Sequence, residues 1–137
     1  MTISGKCLCC AVKITAAAPP IAARTCWCRH CQFIAAGNST VNACFYKKDV
    51  TISGPLSDFP ITADSGNVLH WRFCPTCGTQ VSSEAEVRPH LIFIRAGTLD
   101  DPTLAAPQAT IWSKSAPTWA CINESLPKFE GQPPPVA

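Results

Sequence analysis

The chain has few charged residues and no long run of apolar ones. Asp, Glu, Lys and Arg make up 15% of its 137 residues, and no basic run is longer than Lys47-Lys48. A nucleic-acid-binding surface needs a basic stripe, so we expect no nucleic-acid partner. The apolar runs are far too short to cross a bilayer, so we expect no membrane partner either.

The first residues of the chain lack the apolar segment of a secretory signal peptide. We therefore expect a cytoplasmic protein. Cytoplasmic thiols stay reduced, and clustered cysteines in such a protein are more often metal ligands than disulfides.

Long helices are also not expected, because the sequence contains 13 prolines. Short alternating or apolar segments bounded by turn residues predict strands at 11–15, 41–46, 50–53, 68–73 and 91–96. The segments 41–46 and 50–53 are predicted to form a hairpin, and the one helical stretch covers 30–36. The pattern predicts an all-β fold, an antiparallel sandwich or partly open barrel with little helix. We expect a single zinc-binding domain over 1–130 and a disordered Pro-rich tail over 131–137.

Cysteine is abundant, with ten residues, and seven of them fall into three tight groups. Cys-x-Cys and Cys-x-x-Cys spacings place thiolates on one side of a turn, close enough to share a metal ion. Zn²⁺ takes four such ligands in closed structural sites and three in sites that keep an open position. Seven ligands therefore predict two zinc ions per chain. The groups are Cys7-x-Cys9, Cys26-x-Cys28-x-x-Cys31 and Cys74-x-x-Cys77.

The segment around Cys74 and Cys77 has the features of a zinc knuckle. Pro75 fixes φ between the two ligands, and Gly78 allows the backbone to turn back after the second. One pair cannot complete a tetrahedron, so we predict that the distant N-terminal pair joins it. A redox pair is the alternative, but it usually starts a helix in an α/β context that is missing here. The predicted structural zinc site, called the four-cysteine cluster below, consists of Cys7, Cys9, Cys74 and Cys77.

The remaining group, called the cysteine triplet below, consists of Cys26, Cys28 and Cys31. Three thiolates leave one coordination position for water or a substrate, which predicts a catalytic zinc. His30 is the alternative fourth ligand and would make the site closed and structural. Its position within the Cys-x-x-Cys loop makes simultaneous ligation sterically awkward. The sequence identifies no general base.

Three thiolates on Zn²⁺ give a formal charge of −1, and hence a weaker Lewis acid than a three-histidine site. Soft ligands suit a sulfur-bearing substrate. We therefore expect a thiol–carbonyl adduct whose carbon–sulfur bond is made or broken at the triplet.

Several motifs, in order along nearly the whole chain, carry a family resemblance. They are Gly5-Lys-Cys-Leu-Cys9, Cys26-x-Cys28-x-x-Cys31-Gln32, Tyr46-Lys-Lys-Asp-Val-Thr-Ile-Ser-Gly54, Arg72-Phe-Cys-Pro-Thr-Cys-Gly78, Ile111-Trp-Ser-Lys-Ser-Ala-Pro117 and Leu126-Pro-Lys-Phe-Glu-Gly131. With these motifs the chain resembles the glutathione-dependent formaldehyde-activating enzyme family, which includes the centromere protein V group.

The resemblance implies a tent-like all-β fold shared with Rab accessory factors and methionine-R-sulfoxide reductases. It implies a structural zinc on the four-cysteine cluster and a catalytic zinc on the triplet. It also implies condensation of glutathione with formaldehyde to S-(hydroxymethyl)glutathione. The predicted function is thus a zinc-dependent carbon–sulfur lyase whose partner is a small-molecule thiol or glutathione adduct.

Two residues depart from the family pattern. Cys10 stands where members typically carry Gly, and it is a competing candidate ligand. Trp27 stands where His is common, between the first two cysteines of the triplet. An indole beside the open position would make the site more apolar, which predicts a preference for a bulkier carbonyl or thiol than formaldehyde.

Two other functional classes are alternatives to the lyase. One is a non-catalytic zinc-stabilised scaffold that binds a protein partner. The other is a methionine sulfoxide reductase-like protein, which needs a nucleophilic cysteine outside the metal sites; only Cys10, Cys44 and Cys121 are available.

Four basic residues are candidates for binding the carboxylates of glutathione, with a solvated surface as the alternative for each. They are Arg24, Arg29, Lys47 and Lys48.

Overall fold

The structure, a computed structural model, describes residues 2–137, which form ten strands and one short α-helix. The helix, α1, covers Arg29–Ile34. No helix in this described part is long and apolar enough to cross a membrane. The strands are β1 (Ile3–Lys6), β2 (Lys13–Ala16), β3 (Ala22–Cys26), β4 (Thr40–Tyr46), β5 (Val50–Ser53), β6 (Ser57–Thr62), β7 (Val68–Phe73), β8 (Gln80–Ala85), β9 (Leu91–Arg95) and β10 (Ala109–Ile111).

The strands form two sheets. The smaller sheet has the order β1-β2-β5, and the larger has the order β10-β3-β4-β9-β8-β7-β6. Neighbouring strands are antiparallel except β10, which pairs with β3 in parallel. The predicted all-β fold of short strands with little helix is confirmed.

The predicted hairpin between β4 and β5 is wrong. A 3-10 turn at Lys47–Asp49 carries the chain from one sheet to the other, and β5 pairs with β2, with Ile14 opposite Ile52. Alternation indicates which face of a strand is buried, but it does not identify the partner strand. Gly54 (φ +100°) ends β5 against the backbone of Ala11, where a Cβ would lie 2.1 Å from the carbonyl oxygen.

The main hydrophobic core lies between the two sheets. Ile14 lies on β2 of the smaller sheet, and Val12 directly precedes that strand. Phe45, Ile92 and Ile94 come from one face of the larger sheet. Each such side chain contributes roughly 1.5–3 kcal/mol when it is fully buried. Because side chains alternate along a strand, the opposite face of the larger sheet is free to build a site.

The C-terminal segment lies against Trp112. The backbone N–H of Trp112 donates to the carbonyl of Gly131 (3.3 Å), and its indole N–H donates to Oε1 of Gln132 (3.1 Å). The boundaries of the single domain and the disorder of 131–137 stay predictions.

A backbone constraint at Cys10 leads to a stability prediction. Cys10 has φ +69°, a left-handed conformation that costs an L-residue about 1–2 kcal/mol and glycine almost nothing. After the entropy that glycine adds to the unfolded chain, Cys10→Gly should stabilise the protein by about 0.5–1 kcal/mol. Urea unfolding under reducing conditions measures the change. Cys121→Gly is the control, since Cys121 is also exposed but has no positive φ. A Cys10→Gly variant no more stable than wild type would contradict the argument.

Candidate active site and metal centres

The four sulfurs of the four-cysteine cluster come together at one end of the fold. The Cys7 and Cys9 sulfurs are 3.6 Å apart, and the Cys9 and Cys74 sulfurs are 3.7 Å apart. All four Sγ atoms lie within 4.8 Å of one another. A tetrahedral Zn²⁺ with Zn–S bonds of about 2.3 Å places its sulfurs about 3.8 Å apart. The residues present therefore fit a zinc ion held by four thiolates.

Two tight loops hold this cluster in place. In the first, the amide of Val12 donates to the sulfur of Cys7 (3.3 Å), and the amide of Cys10 donates to the carbonyl of Cys7 (3.1 Å), which closes a turn. In the second, the amide of Gly78 donates to the carbonyl of Cys74 (2.9 Å). The Gly78 φ of +76° is the left-handed turn that the knuckle motif predicts.

Thr79 connects the two loops. Its hydroxyl accepts from the amide of Leu8 (3.2 Å) and lies 3.1 Å from the sulfur of Cys77. Hydrogen bonds from the Thr79 hydroxyl and amide lower the pKa of Cys77 to about 5. At least one ligand of the cluster is therefore prepared as a thiolate.

The cysteine triplet occupies a separate position on the larger sheet. Cys26 ends β3, Cys28 caps the N-terminus of α1, and Cys31 lies in its first turn. The Cys28 sulfur accepts the Cys31 amide (3.3 Å), and all three cysteines are buried. Their sulfurs lie within 4.8 Å of one another. Within residues 2–137, no His, Cys, Asp or Glu, and therefore not His30, joins them as a fourth ligand.

The charges within the triplet favour a bound cation. Hydrogen bonds from the Cys26 and Cys28 thiols lower the pKa of Cys31 to about 3. The same contacts raise the pKa of Cys26. The hydrogen bonds among the three sulfurs thus oppose the ionisation of all three thiols together, whereas a divalent cation would allow all three to ionise. The donor set and its spacing fit a zinc ion with an open position.

Gln32 fastens the triplet to the rest of the fold. Its side-chain amide donates to the carbonyls of Trp27 (2.8 Å) and Ser115 (3.0 Å). The Trp27 amide donates to the carbonyl of Ile111 on β10 (3.1 Å). These bonds fix the loop that carries Cys26 and Cys28.

A cavity opens over the triplet, on the face of the larger sheet that points away from the main core. All three triplet cysteines line it. A row of polar side chains crosses its floor, since Arg24 on β3 is paired with Asn42 on β4, and Asn42 with Arg95 on β9. Arg88, His30 and Asp64 also line the cavity. Three arginines therefore line the same cavity as the three cysteines.

Arg95 was not among the sequence-predicted site residues. Arg95 is the last residue of β9 (Leu91–Arg95), whose other residues are all apolar. One charged residue in an apolar strand is the one sign of a functional role that the sequence offered. Strand pairing with β4 brings it to the cavity, and no local pattern predicts that pairing.

The predicted binding and substrate residues are only partly brought to the cavity. Of the four basic candidates, Arg24 lines it, and the other three do not. Arg29 bonds to Gln32, Lys47 pairs with Glu84, and Lys48 lies over Tyr46.

Trp27 does not have the position that the substrate prediction required. It is 2% exposed, packs edge-on against Trp119 and is not part of the cavity wall that the described residues form. A preference for bulkier carbonyls therefore has no basis in the geometry of Trp27.

The cysteines outside the two groups are also resolved by the structure. The competing ligand Cys10 is exposed and does not belong to either group of sulfurs. Cys121 is exposed, whereas Cys44 is buried and lines the cavity. Burial raises the pKa of Cys44 to about 11, so this residue is a neutral thiol at pH 7.

Comparison with known proteins agrees with this arrangement. A family profile described as glutathione-dependent formaldehyde-activating enzyme matches residues 2–115, which include all seven clustered cysteines. A crystal structure of a Rhodobacter sphaeroides protein matches with a TM-score of 0.57 and 17% identity over 92% of this chain and 98% of that chain. At that identity the likeness shows the fold alone. Comparison with curated proteins gives no significant match.

The two groups of cysteines should respond differently to mutation. Cys74→Ser removes a ligand that joins distant parts of the chain, so we expect loss of one metal ion and of most folded protein. Cys28→Ser should keep the fold and lose only the second, more weakly held metal. Metal analysis and thermal unfolding measure both effects. If Cys28→Ser unfolds as readily as Cys74→Ser, the triplet is structural.

Proposed function

The chain belongs to the glutathione-dependent formaldehyde-activating enzyme family, and from this premise we propose that it is a zinc-dependent carbon–sulfur lyase. Its reaction is the reversible addition of the glutathione thiol to formaldehyde, which forms S-(hydroxymethyl)glutathione. The family supports glutathione-linked formaldehyde activation in general. The zinc ions, the substrate of this chain and the roles of its residues are the proposal.

The observation that carries the proposal is the group of three buried sulfurs at the cavity floor, without a fourth His, Cys, Asp or Glu ligand in the described part of the chain. A purely structural site would be closed by a fourth protein ligand. Cys26, Cys28 and Cys31 would hold the catalytic zinc, and the four-cysteine cluster would hold the structural one. Zinc bound by the triplet would supply an open coordination position for a soft sulfur ligand.

The charge of the cavity supports a glutathione-sized anion. Glutathione carries two carboxylates and one ammonium group at pH 7. The residues that line the cavity include three arginines, Arg24, Arg88 and Arg95, but one carboxylate, that of Asp64. The Asp64 carboxylate lies 3.8 Å from His30. We assign Arg24 to a glutathione carboxylate, since its partly buried guanidinium offers a rigid pair of donors.

The proposal includes a cytoplasmic location and a small-molecule partner. Glutathione and reduced thiols are abundant in that compartment, and zinc–thiolate sites persist where thiols stay reduced.

No specific observation favours the two alternative functions. A methionine sulfoxide reductase-like reaction needs a reactive thiolate at the cavity. Cys44 is the residue available there in the described chain, and burial raises its pKa to about 11. A binding scaffold would not need three arginines and three cysteines around one cavity.

Exchange between glutathione, formaldehyde and their adduct, followed by NMR, tests the proposed function. Wild-type protein should accelerate this exchange, and Cys28→Ser should reduce the acceleration at least about 100-fold by removing a zinc ligand. Arg24→Gln should raise KM for glutathione about 10-fold or more, since hydrogen bonds to charged groups contribute about 1.5–3 kcal/mol.

Cys121→Ser is the matched control, because Cys121 is exposed and lies outside both groups of sulfurs. Equal exchange rates with wild-type protein, with Cys28→Ser and without protein would reject the function. An unchanged KM in Arg24→Gln would reject the assignment of Arg24 alone.

A further inference from the structure

Arg95 is a buried guanidinium with unused donors beside the triplet. Its residue is 8% exposed, and it lines the same cavity as the three cysteines. Nη1 donates to Oδ1 of Asn42 (2.7 Å). Nε and Nη2 are buried and have no hydrogen-bond partner among residues 2–137. Unpaired buried donors are costly, so a group of this kind calls for a functional explanation.

The surroundings of Arg95 hold its guanidinium in one orientation. Its Cζ lies 5.2 Å from the ring centre of Trp71, a cation–π distance. Asn42, which accepts from Nη1, in turn donates to Oγ1 of Thr40 (3.0 Å). Asn42 and Arg95 are directly paired across β4 and β9. The free edge is therefore pre-organised by the sheet.

The two free donors form one edge of the guanidinium plane. The Nε–H and one Nη2–H of arginine point in nearly the same direction, a geometry that fits an oxyanion. An arginine guanidinium keeps its positive charge in proteins, even where it is buried. A fixed positive charge in a water-poor site stabilises developing negative charge much more strongly than it would in water.

From this geometry we propose that Arg95 is a catalytic residue whose Nε–Nη2 edge binds the substrate oxygen that becomes negatively charged. This inference rests on the proposed function. When a lone pair of the glutathione thiolate forms the S–C bond, the π pair of the aldehyde C=O moves onto oxygen. The resulting alkoxide accepts two hydrogen bonds from Arg95. It then takes up a proton from water, equivalent to the proton that the thiol released on ionising, and Arg95 keeps its own protons.

Arg24 does not have the same character. It lies on the same row of the sheet, two strands away, but it is only partly buried and none of its donors is buried without a partner. Neighbouring strands are about 4.8 Å apart, so the two arginines are about 10 Å apart at their Cα atoms. One molecule can therefore reach Arg95 with its reacting oxygen and Arg24 with a carboxylate.

Formate tests the anion site without turnover, since it is a one-carbon oxyanion that matches the free edge. Addition of formate to metal-loaded wild-type protein should shift the ¹⁵N–¹H signal of Arg95 Nε, which is assigned by its loss in Arg95→Lys. Calorimetric titration should give a formate Kd at least about 10-fold higher in Arg95→Gln and Arg95→Lys. Lys13→Gln is the control, because Lys13 is an exposed cation on β2 of the smaller sheet that does not line the cavity.

Kinetics and metal affinity separate this role from simple charge compensation of the thiolates. Arg95→Lys keeps the charge but loses the paired edge. Under the proposal, Arg95→Gln and Arg95→Lys both lower kcat for glutathione–formaldehyde exchange by about 100-fold, which is the usual effect of losing an oxyanion donor. The KM for glutathione should change little in either variant. Zinc affinity, measured by chelator competition, should change less than about 3-fold in Arg95→Lys. If one variant does not fold, the other assigns the Arg95 Nε signal by its absence, and the shift of that signal in wild-type protein still decides.

The outcomes distinguish the two levels of inference. If formate leaves the Arg95 Nε signal unchanged, or if Arg95→Lys keeps the wild-type kcat, the role of Arg95 is overturned even when exchange is catalysed. If Arg95→Lys restores everything that Arg95→Gln loses, Arg95 acts only through its charge, which also overturns the proposal. If wild-type protein binds formate through Arg95 but does not accelerate exchange, the proposed function fails and the anion site is supported.

Discussion

Several sulfur atoms within 4.8 Å of one another cannot all be negatively charged without a cation between them. This electrostatic constraint governs both groups of cysteines. In the four-cysteine cluster, the sulfurs of Cys7, Cys9 and Cys74 have spacings of 3.6 and 3.7 Å, which match the edges of a zinc tetrahedron. In the triplet, hydrogen bonds among the three sulfurs lower the pKa of Cys31 and raise the pKa of Cys26. A metal ion would remove the conflict in both groups, and it would contribute to folding most strongly where it joins distant loops.

The larger sheet carries the hydrophobic core on one face and the candidate active site on the other. One face carries Ala43, Phe45, Ile92 and Ile94 into the core shared with the smaller sheet. The residues that alternate with them on β4 and β9, among them Asn42, Cys44 and Arg95, face the cavity. A close-packed core on one side makes the sheet rigid, and rigid strands can hold donors at fixed distances on the other side. The packing of the core on one face of the sheet therefore determines the geometry of the cavity on the other.

Charge balance connects the triplet to Arg95. Three thiolates around a divalent cation carry a formal charge of −1, and this excess would repel an incoming thiolate or a developing alkoxide. A buried guanidinium adjacent to the thiolates restores a formal charge of zero. In a medium of low dielectric constant such a pairing has a large effect on every charged species in the cavity. Arg95, which balances the charge of the triplet, also has two donors without a partner in the described part of the chain.

The spacing of the cysteines along the chain determined a great deal by itself. Cys-x-Cys and Cys-x-x-Cys are local geometries, so the sequence indicated the members of both groups, and the structure brings the same sulfurs together. The alternation in β7 and the apolar run in β9 likewise predicted strands, because side-chain period is a property of a few neighbouring residues. The motifs placed the chain in its family, and the profile match over 2–115 agrees.

Only the tertiary structure decided which strands pair and what shares the cavity. The partner of β5 is β2 and not β4, so β4 and β5 belong to different sheets. Arg95 reaches the triplet through the pairing of β9 with β4, and Trp27 turns away from the cavity to pack against Trp119. Contacts of this kind join residues far apart in sequence, and they follow from how whole faces pack together. No local pattern contains that information, whereas ligand spacing within a turn is fixed by the covalent chain.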